Sequence, residues 1–154
     1  MGKVSREIVG DKVDEVIEQL NKALADEWLA YTQYLMASKL VNKKVVEQEL
    51  VSIAKEELEH AEELFERIAK LNGKPVVDPK QYLEITNCGY EVPTEDVKKV
   101  LQDSIKAEGC AIRVYKKIAD MTKDTDPLTY ELMLHIMDEE EDHETRFETL
   151  LESM

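Results

Sequence analysis

The feature of this sequence that most constrains its fold is helical periodicity sustained over four long segments. In each segment apolar residues recur three and four positions apart, and no segment alternates apolar and polar residues as a half-buried strand does. Hydrophobic residues make up 43% of the 154 residues, which is enough for one packed core. We therefore predict an all-α protein with a single domain that spans residues 1–154.

Capping residues locate the ends of the predicted helices. The helices run from about Asp11 to Leu40, from about Lys44 to Leu71, from Thr94 onwards, and from about Asp126 to the end of the chain. Asn72-Gly73 ends the second helix because glycine tolerates the left-handed cap conformation. Thr94 is the predicted cap of the third helix, since acids follow it in the first turn. Asp126 followed by Pro127 is a typical start for the fourth helix.

The lengths of the connections predict how the helices are arranged. Short connections make helices one and two antiparallel neighbours, and helices three and four likewise. The segment from Gly73 to Pro93 is long enough to return along the whole bundle, which makes helices two and three parallel. The predicted architecture is an antiparallel four-helix bundle with one long crossover between helices two and three.

Ionisable residues interrupt the apolar stripe of every helix near its middle, in frame with the buried face. They are Glu27 in the first helix, Glu57 and His60 in the second, Glu108 in the third, and Glu140 and His143 in the fourth. Because residues three apart share a helix face, both members of each Glu-x-x-His pair project into the bundle. Each half of the chain has one lone Glu followed by Glu-x-x-His, which is an internal repeat.

These buried carboxylates predict a metal site. Each unpaired buried carboxylate would cost several kcal/mol, and two divalent cations would balance the four charges. Mixed carboxylate and imidazole ligation suits iron or manganese, whereas structural zinc sites prefer thiolate and histidine. The same arrangement is known from di-iron and di-manganese bundles. We expect two Fe ions per subunit, with Mn or Zn able to take their place.

A single Glu-x-x-His pair among 34 acids would be weak evidence for a metal, but two pairs in frame are much stronger. Four flanking acids fall off the stripe and are predicted to be solvated: Glu56, Glu59, Glu139 and Glu141. Apart from Glu140, the acidic run from Asp138 to Asp142 is interpreted as an exposed face. His135 is interpreted as a structural or exposed residue.

The charge balance restricts the partners of the protein. A formal charge of −14 disfavours non-specific binding to nucleic acid, although Lys3, Arg6 and Lys12 form a small basic arm. No apolar run is long enough to span a membrane, and the N-terminus lacks the apolar core of a secretory signal. Two cysteines are too few for a disulfide scaffold. We expect a cytoplasmic protein that binds neither membrane nor DNA.

At these residues the sequence resembles the ferritin-like superfamily across nearly its whole length, and within it the bacterioferritin type of di-iron centre. The segment from Glu27 to Tyr34 looks like that family's ligand motif in the first helix. The resemblance implies that Glu27 and Glu108 are terminal ligands and that Glu57 and Glu140 are bridging ligands. It also implies that His60 and His143 are imidazole ligands. Tyr34 would be a nearby hydrogen-bonding or redox residue.

Two departures from bacterioferritin refine this resemblance. Leu58 stands where the haem-binding Met of bacterioferritins would be, so no haem is expected. The chain ends after its fourth helix, as Dps subunits do, and has two cysteines. It therefore looks like the Dps-like group called thioferritins, which implies a dodecameric homo-oligomer. In that group a cysteine pair near the di-iron site corresponds to Cys88 and Cys110, with a redox-related disulfide as the expectation and two unreactive small residues as the alternative.

The resemblance implies a ferroxidase that oxidises Fe(II) with hydrogen peroxide or dioxygen, for iron storage and protection from oxidative stress. A rubrerythrin-like di-iron peroxidase without storage is an alternative, although the Cys-x-x-Cys motifs of its usual electron-donating domain are missing. A manganese catalase is a more distant alternative. The non-enzymatic alternatives are a DNA-protecting Dps shell and a structural bundle without metal.

Overall fold

The computed structural model describes residues 2–154, which form a helical bundle with two short additional helices. The helices are α1 (Lys3–Val9), α2 (Val13–Leu40), α3 (Lys44–Lys70), α4 (Pro79–Ile85), α5 (Val97–Thr122) and α6 (Pro127–Glu152), with a 3₁₀ turn at Gly10–Lys12. Helices α2, α3, α5 and α6 are the four long ones. The predicted all-α bundle with its long crossover is therefore confirmed.

The four long helices pack as two hairpins. Helix α2 lies along α3 and α5 lies along α6, and the hairpins meet through contacts of α2 with α5 and of α3 with α6. The apolar core is divided into two clusters. One contains Leu20, Leu64 and Ile118, and the other contains Leu50 and Phe147. The residues that interrupt the apolar stripes lie between these clusters.

The two predicted N-caps have different outcomes. Asp126 caps α6 as predicted, since its side chain accepts a hydrogen bond from the backbone of Thr129. The prediction that Thr94 caps the third helix is wrong. Asp96 is the cap and accepts hydrogen bonds from the backbone N–H groups of Lys98 and Lys99. The cap lies two residues later than predicted because the carboxylate of Asp96 satisfies two of the free N–H groups of the helix.

The end of α3 depends on both Asn72 and Gly73, but in a different way from the prediction. Asn72, not Gly73, adopts the left-handed conformation, with φ of 55°. Glycine is needed at position 73 because a Cβ there would lie 2.9 Å from the side chain of Ile17. The close approach of α2 therefore explains this glycine.

Two short helices of 7 residues each, α1 and α4, were not predicted from the sequence. Helix α4 lies in the crossover, starts at Pro79 after the cap Asp78, and buries Tyr82 beside Trp28 of α2. In α1, Arg6 donates a hydrogen bond to the carbonyl of Leu71 at 3.1 Å. Two turns are too few for a helical period to stand out. Within residues 2–154, no helix is both long enough and apolar enough to cross a bilayer.

Candidate metal centre

The structure brings the six predicted ligands together between the two apolar clusters. Helix α2 contributes one of them, α3 two, α5 one and α6 two, and each is at most 2% exposed. They are Glu27, Glu57, His60, Glu108, Glu140 and His143. Periodicity located these side chains correctly because a residue in frame with the apolar stripe must point into the bundle.

The ligand atoms form two overlapping groups. One group consists of Glu27, Glu57, His60 and Glu140, and the other of Glu57, Glu108, Glu140 and His143. Within each group the ligand atoms lie within 4.8 Å of one another. A transition metal lies roughly 2 Å from its ligands, so ligands on opposite sides of one ion are roughly 4 Å apart. Each group therefore has the size that one cation requires, and Glu57 and Glu140 belong to both.

Both imidazole rings direct Nδ1 towards the carboxylates. The Nδ1 atom of His60 lies 2.8 Å from Oε1 of Glu140 and 3.4 Å from Oε2 of Glu27. The Nδ1 atom of His143 lies 3.2 Å from Oε1 of Glu57 and 3.8 Å from Oε2 of Glu108. Each histidine thus points the same ring nitrogen at the terminal carboxylate of its own group.

Several buried atoms at this centre have no hydrogen-bond partner. Four such atoms are Oε2 of Glu27, Oε1 of Glu57, Oε1 of Glu140 and Nδ1 of His143. Although Oε1 of Glu140 is close to His60, the contact lacks hydrogen-bond geometry. A buried polar group without a partner costs about 1–3 kcal/mol. A pair of divalent cations would give these atoms the partner that the protein does not supply, so the residues fit such a pair.

The electrostatics of the centre agree with this fit. Burial, and then the charges of Glu27 and Glu108, raise the pKa of Glu57 well above its ordinary value. Burial and the charge of Glu57 likewise raise the pKa of Glu140. Burial alone would lower the pKa of His143, but the neighbouring carboxylates outweigh it and raise that pKa to about 9. Without metal the centre therefore retains protons, and a binding cation must displace them.

Two of the flanking acids contact the ligand histidines, which corrects the prediction that they are solvated. Glu139 Oε2 lies 2.5 Å from Nε2 of His60, and Glu56 Oε2 lies 2.7 Å from Nε2 of His143. Each carboxylate favours a proton on Nε2, which leaves the Nδ1 lone pair free for a metal. The prediction failed because each acid lies at the edge of the buried face and reaches the histidine of the opposite helix. Both acids directly precede the Glu of a Glu-x-x-His pair, and this shared position was the available signal.

A tyrosine holds each terminal carboxylate. Tyr34 donates a hydrogen bond to Oε1 of Glu108 at 2.5 Å, and Tyr115 donates one to Oε1 of Glu27. Burial and the adjacent carboxylate raise the pKa of both tyrosines well above the ordinary value, so both keep their protons. The resemblance to bacterioferritin pointed to Tyr34 alone, and Tyr115 was predicted only as a residue of the apolar stripe. Tyr115 nevertheless follows Glu108 at the same interval at which Tyr34 follows Glu27.

Cys88 and Cys110 form a disulfide beside the centre. Cys88 lines a cavity of about 20 Å³ together with Glu27, Tyr34 and Glu108. This cavity has room for about one water molecule. Both cysteines also line a pocket at the surface. The disulfide therefore stands between the surface and the candidate metal centre.

Asp26 attaches the segment containing Cys88 to the turn of α2 that carries Glu27. Asp26 is 7% exposed, and its side chain accepts hydrogen bonds from Thr86 Oγ1 at 2.5 Å and from the backbone N–H of Cys88 at 2.9 Å. Burial raises the pKa of Asp26 although these hydrogen bonds oppose the shift. Asp26 lies outside the apolar stripe and its partners lie in the crossover, so periodicity gave no signal for it.

Comparison with known proteins places this geometry in a family. Residues 17–154 match the family model described as "Ferritin: Ferritin-like domain". A Pyrococcus furiosus protein named "DNA protection during starvation protein" is 33% identical over 152 residues, which cover 94% of this chain and 81% of that protein. A bacterioferritin from Desulfovibrio desulfuricans is 28% identical over 146 residues, which cover 91% of this chain and 76% of that protein.

Solved structures of ferritin-like proteins also resemble this chain. A dodecameric thioferritin, the bacterioferritin-related protein from Bacteroides fragilis, has a TM-score of 0.94 and 38% identity, with 98% of this chain and 94% of that chain covered. An archaeal Dps homologue from Halobacterium salinarum has a TM-score of 0.86 at 22% identity over 92% of this chain and 81% of that chain, a likeness of fold alone. Because the family model spans nearly the whole sequence, we conclude that this chain belongs to the ferritin-like domain family.

Proposed function

We propose that this chain is the ferroxidase subunit of a homo-oligomeric iron-storage shell. It oxidises Fe(II) with hydrogen peroxide or dioxygen at the paired site and so protects against oxidative stress. The observation that carries this proposal is that Glu57 and Glu140 belong to both candidate ligand groups. Two Fe(II) ions bound in these groups would be neighbours, with Glu57 and Glu140 within reach of both.

Adjacent iron ions suit a two-electron oxidant. One molecule of hydrogen peroxide takes one electron from each of two Fe(II) ions and two protons from the solvent, giving two Fe(III) ions and two molecules of water. Glu57 and Glu140 keep the substrate ions side by side, and the four carboxylates stabilise the more highly charged product. Tyr34 and Tyr115 hold the terminal carboxylates in place while the charge at the centre changes.

The surface over the histidines supports a route for cations. A depression there is lined by Glu56, Asp138, Glu139, Glu141 and Asp142. Two of these acids, Glu56 and Glu139, also contact the ligand histidines, so the depression adjoins the centre. Acidic surfaces raise the local concentration of cations. We propose that Fe(II) approaches the paired site across this surface.

The similarity to the dodecameric thioferritin supports a dodecameric shell for this chain, with 38% identity over 98% of its residues. Native mass measurement combined with metal analysis tests this assembly and gives the number of metal ions per chain. Metal analysis of protein purified without added metal also separates the iron proposal from the manganese catalase alternative. Iron as the predominant bound metal is the expected result, and a predominance of manganese would contradict it.

The direct test follows ferric absorbance after apo-protein is mixed with Fe(II) and peroxide. The wild type should oxidise Fe(II) much faster than the double variant Glu57→Ala, Glu140→Ala, which lacks both shared ligands. The matched control is Glu59→Ala, Glu148→Ala, because these acids lie on the same two helices, are exposed and do not line the depression over the histidines. The control should oxidise Fe(II) like the wild type. Equal rates for the wild type and the site variant would refute the ferroxidase proposal.

A peroxidase without iron storage is the second candidate, and the position of the disulfide favours it. The Cys88–Cys110 bond lies between a surface pocket and the cavity at the centre, where an external donor could return electrons. Particle size and iron content separate the candidates. A dodecamer that accumulates more iron than its paired sites hold supports storage. A dimer that consumes peroxide without accumulating iron supports the peroxidase.

A further inference from the structure

The two candidate metal positions have matching inner residues but different charges behind them. Each position has one terminal glutamate held by a tyrosine, the two shared glutamates, and one histidine whose Nε2 contacts a carboxylate. At one position Glu139 contacts Nε2 of His60, on the side of the ring away from the centre, and at the other Glu56 contacts Nε2 of His143 in the same way. Any difference between the positions must therefore come from the residues around these two acids.

Behind His143, a guanidinium neutralises the acid. Nη1 of Arg146 lies 3.1 Å and 3.3 Å from the two carboxylate oxygens of Glu56. The side chain of Arg146 is 25% exposed, and it also forms ion pairs with Glu49 and Asp142. Arg146 is therefore held in place by several partners, and its fixed positive charge partly neutralises the negative charge of Glu56.

On the His60 side, the residue that corresponds to Arg146 in the internal repeat is negatively charged. Glu63 occupies the place after His60 that Arg146 occupies after His143. His135 lies between the two acids on this side, with Nε2 3.6 Å from Glu63 Oε2 and 3.8 Å from Glu139 Oε2. Within residues 2–154, no Lys or Arg forms an ion pair with Glu139. Glu139 therefore keeps more of its negative charge than Glu56 does.

We propose that Arg146 makes the two metal positions unequal, so that the first divalent cation binds with Glu27 and His60 and the second with Glu108 and His143. A charged carboxylate behind an imidazole increases the electron donation of that ring to a metal. Arg146 weakens this effect at His143 and also repels a cation bound there. The inference deepens the proposed function, because oxidation of an iron pair then waits for the weaker position to fill.

Zinc binding to the metal-free protein tests this proposal without any oxidation. Competition with a chelating dye should resolve a tight and a weak step in the wild type. Glu108→Ala should remove the weak step and keep the tight one, whereas Glu27→Ala should remove the tight step. Arg146→Gln should strengthen the weak step about tenfold. Arg146→Lys, which keeps the charge, should stay close to the wild type.

A matched control and a second variant complete the experiment. Lys116→Gln removes a positive charge that is paired with Asp120 on the surface of α5, and it should leave both steps unchanged. Glu63→Lys places a positive charge behind Glu139 and should weaken the tight step, which keeps the test decisive if Arg146→Gln does not fold. Two equal steps in the wild type, or a ratio that neither Arg146→Gln nor Glu63→Lys changes, would overturn the inference. Equal steps in a protein that still oxidises Fe(II) leave the proposed function intact, whereas no zinc binding at all overturns the metal centre itself.

Discussion

The hydroxyl group of Tyr115 on α5 donates a hydrogen bond to the carboxylate of Glu27 on α2. Tyr34 on α2 does the same for Glu108 on α5 at 2.5 Å. Each terminal carboxylate is therefore oriented by the helix that faces it. This reciprocal pairing fixes one oxygen of each carboxylate and leaves the other directed at the centre, which reduces the rearrangement needed when a cation binds.

Replacement of Tyr115 by phenylalanine tests the value of this orientation. Tyr115→Phe removes one hydroxyl and should lower the affinity of the Glu27 position for zinc by about 10–100-fold, as other losses of an outer hydrogen bond do. Zinc competition titration measures the change. Tyr130→Phe is the control, since Tyr130 is a partly buried core tyrosine outside the centre. Unchanged zinc affinity in Tyr115→Phe would show that the hydrogen bond does not orient the ligand.

The double variant Glu57→Gln, Glu140→Gln should stabilise the metal-free protein at neutral pH. Burial and neighbouring charges raise both pKa values in the folded state, so the folded protein binds more protons than the unfolded chain. The stability from these protons is complete below the ordinary pKa of 4.5 and is lost as the pH rises through the raised values.

Denaturation of the metal-free wild type and of this variant, at neutral pH and below pH 4.5, measures the effect. The gain in unfolding free energy should be present at neutral pH and should vanish at the lower pH. The exposed pair Glu59→Gln, Glu141→Gln serves as the control and should show no such gain. A site variant that is no more stable than the wild type at neutral pH would contradict the electrostatic account.

The disulfide should contribute to stability. Cys88→Ser together with Cys110→Ser should lower the unfolding free energy by about 3 kcal/mol, because the bond closes a loop between residues separated by 22 positions. Denaturation of the oxidised wild type, the reduced wild type and the variant measures this difference. Thiol counting on the oxidised protein should find no free thiol. If reductant left the stability of the wild type unchanged, the disulfide would not stabilise the fold.

A buried ion pair at one end of the bundle gives a separate prediction. Nη2 of Arg67 lies 2.8 Å from Asp126, and the two residues are 7% and 1% exposed. Asp126→Asn keeps the capping oxygen of α6 but leaves a buried cation unpaired, so it should cost about 3–5 kcal/mol. Adding Arg67→Met should recover part of that loss. Denaturant titration measures both variants, with the exposed Asp120→Asn as a control that should change little.

The protein should not bind duplex DNA tightly. Its formal charge of −14 repels phosphate groups, and the basic residues of the N-terminal arm are few. A gel-shift assay at low salt, where electrostatic attraction is strongest, should show no retarded duplex. Tight binding under these conditions would contradict the charge argument.

The four long helices and the inner candidate ligands could be predicted from the sequence because both follow the helical period. A side chain such as Glu108 shares its helix face with Leu101 and Tyr115, so its burial follows from that of its neighbours. Two buried Glu-x-x-His pairs then limit the chemistry to a few metals. None of this required knowledge of contacts between helices.

Several features that the sequence did not reveal depend on contacts between elements. Glu56 and Glu139 lie at the edge of the buried face, and only the packing of α3 against α6 shows that each reaches a histidine. Asp26 is buried because the crossover returns over it. Gly73 is required by the approach of Ile17 from another helix. In each case the period of one helix carries no information about its neighbour.

The overlap of the two ligand groups has a mechanical consequence. The group around His60 requires Glu140 from the α5–α6 hairpin, and the group around His143 requires Glu57 from the α2–α3 hairpin. Neither hairpin can complete a position alone. A cation bound at either position would therefore hold the two hairpins together, because they could not separate without removing at least one of its ligands.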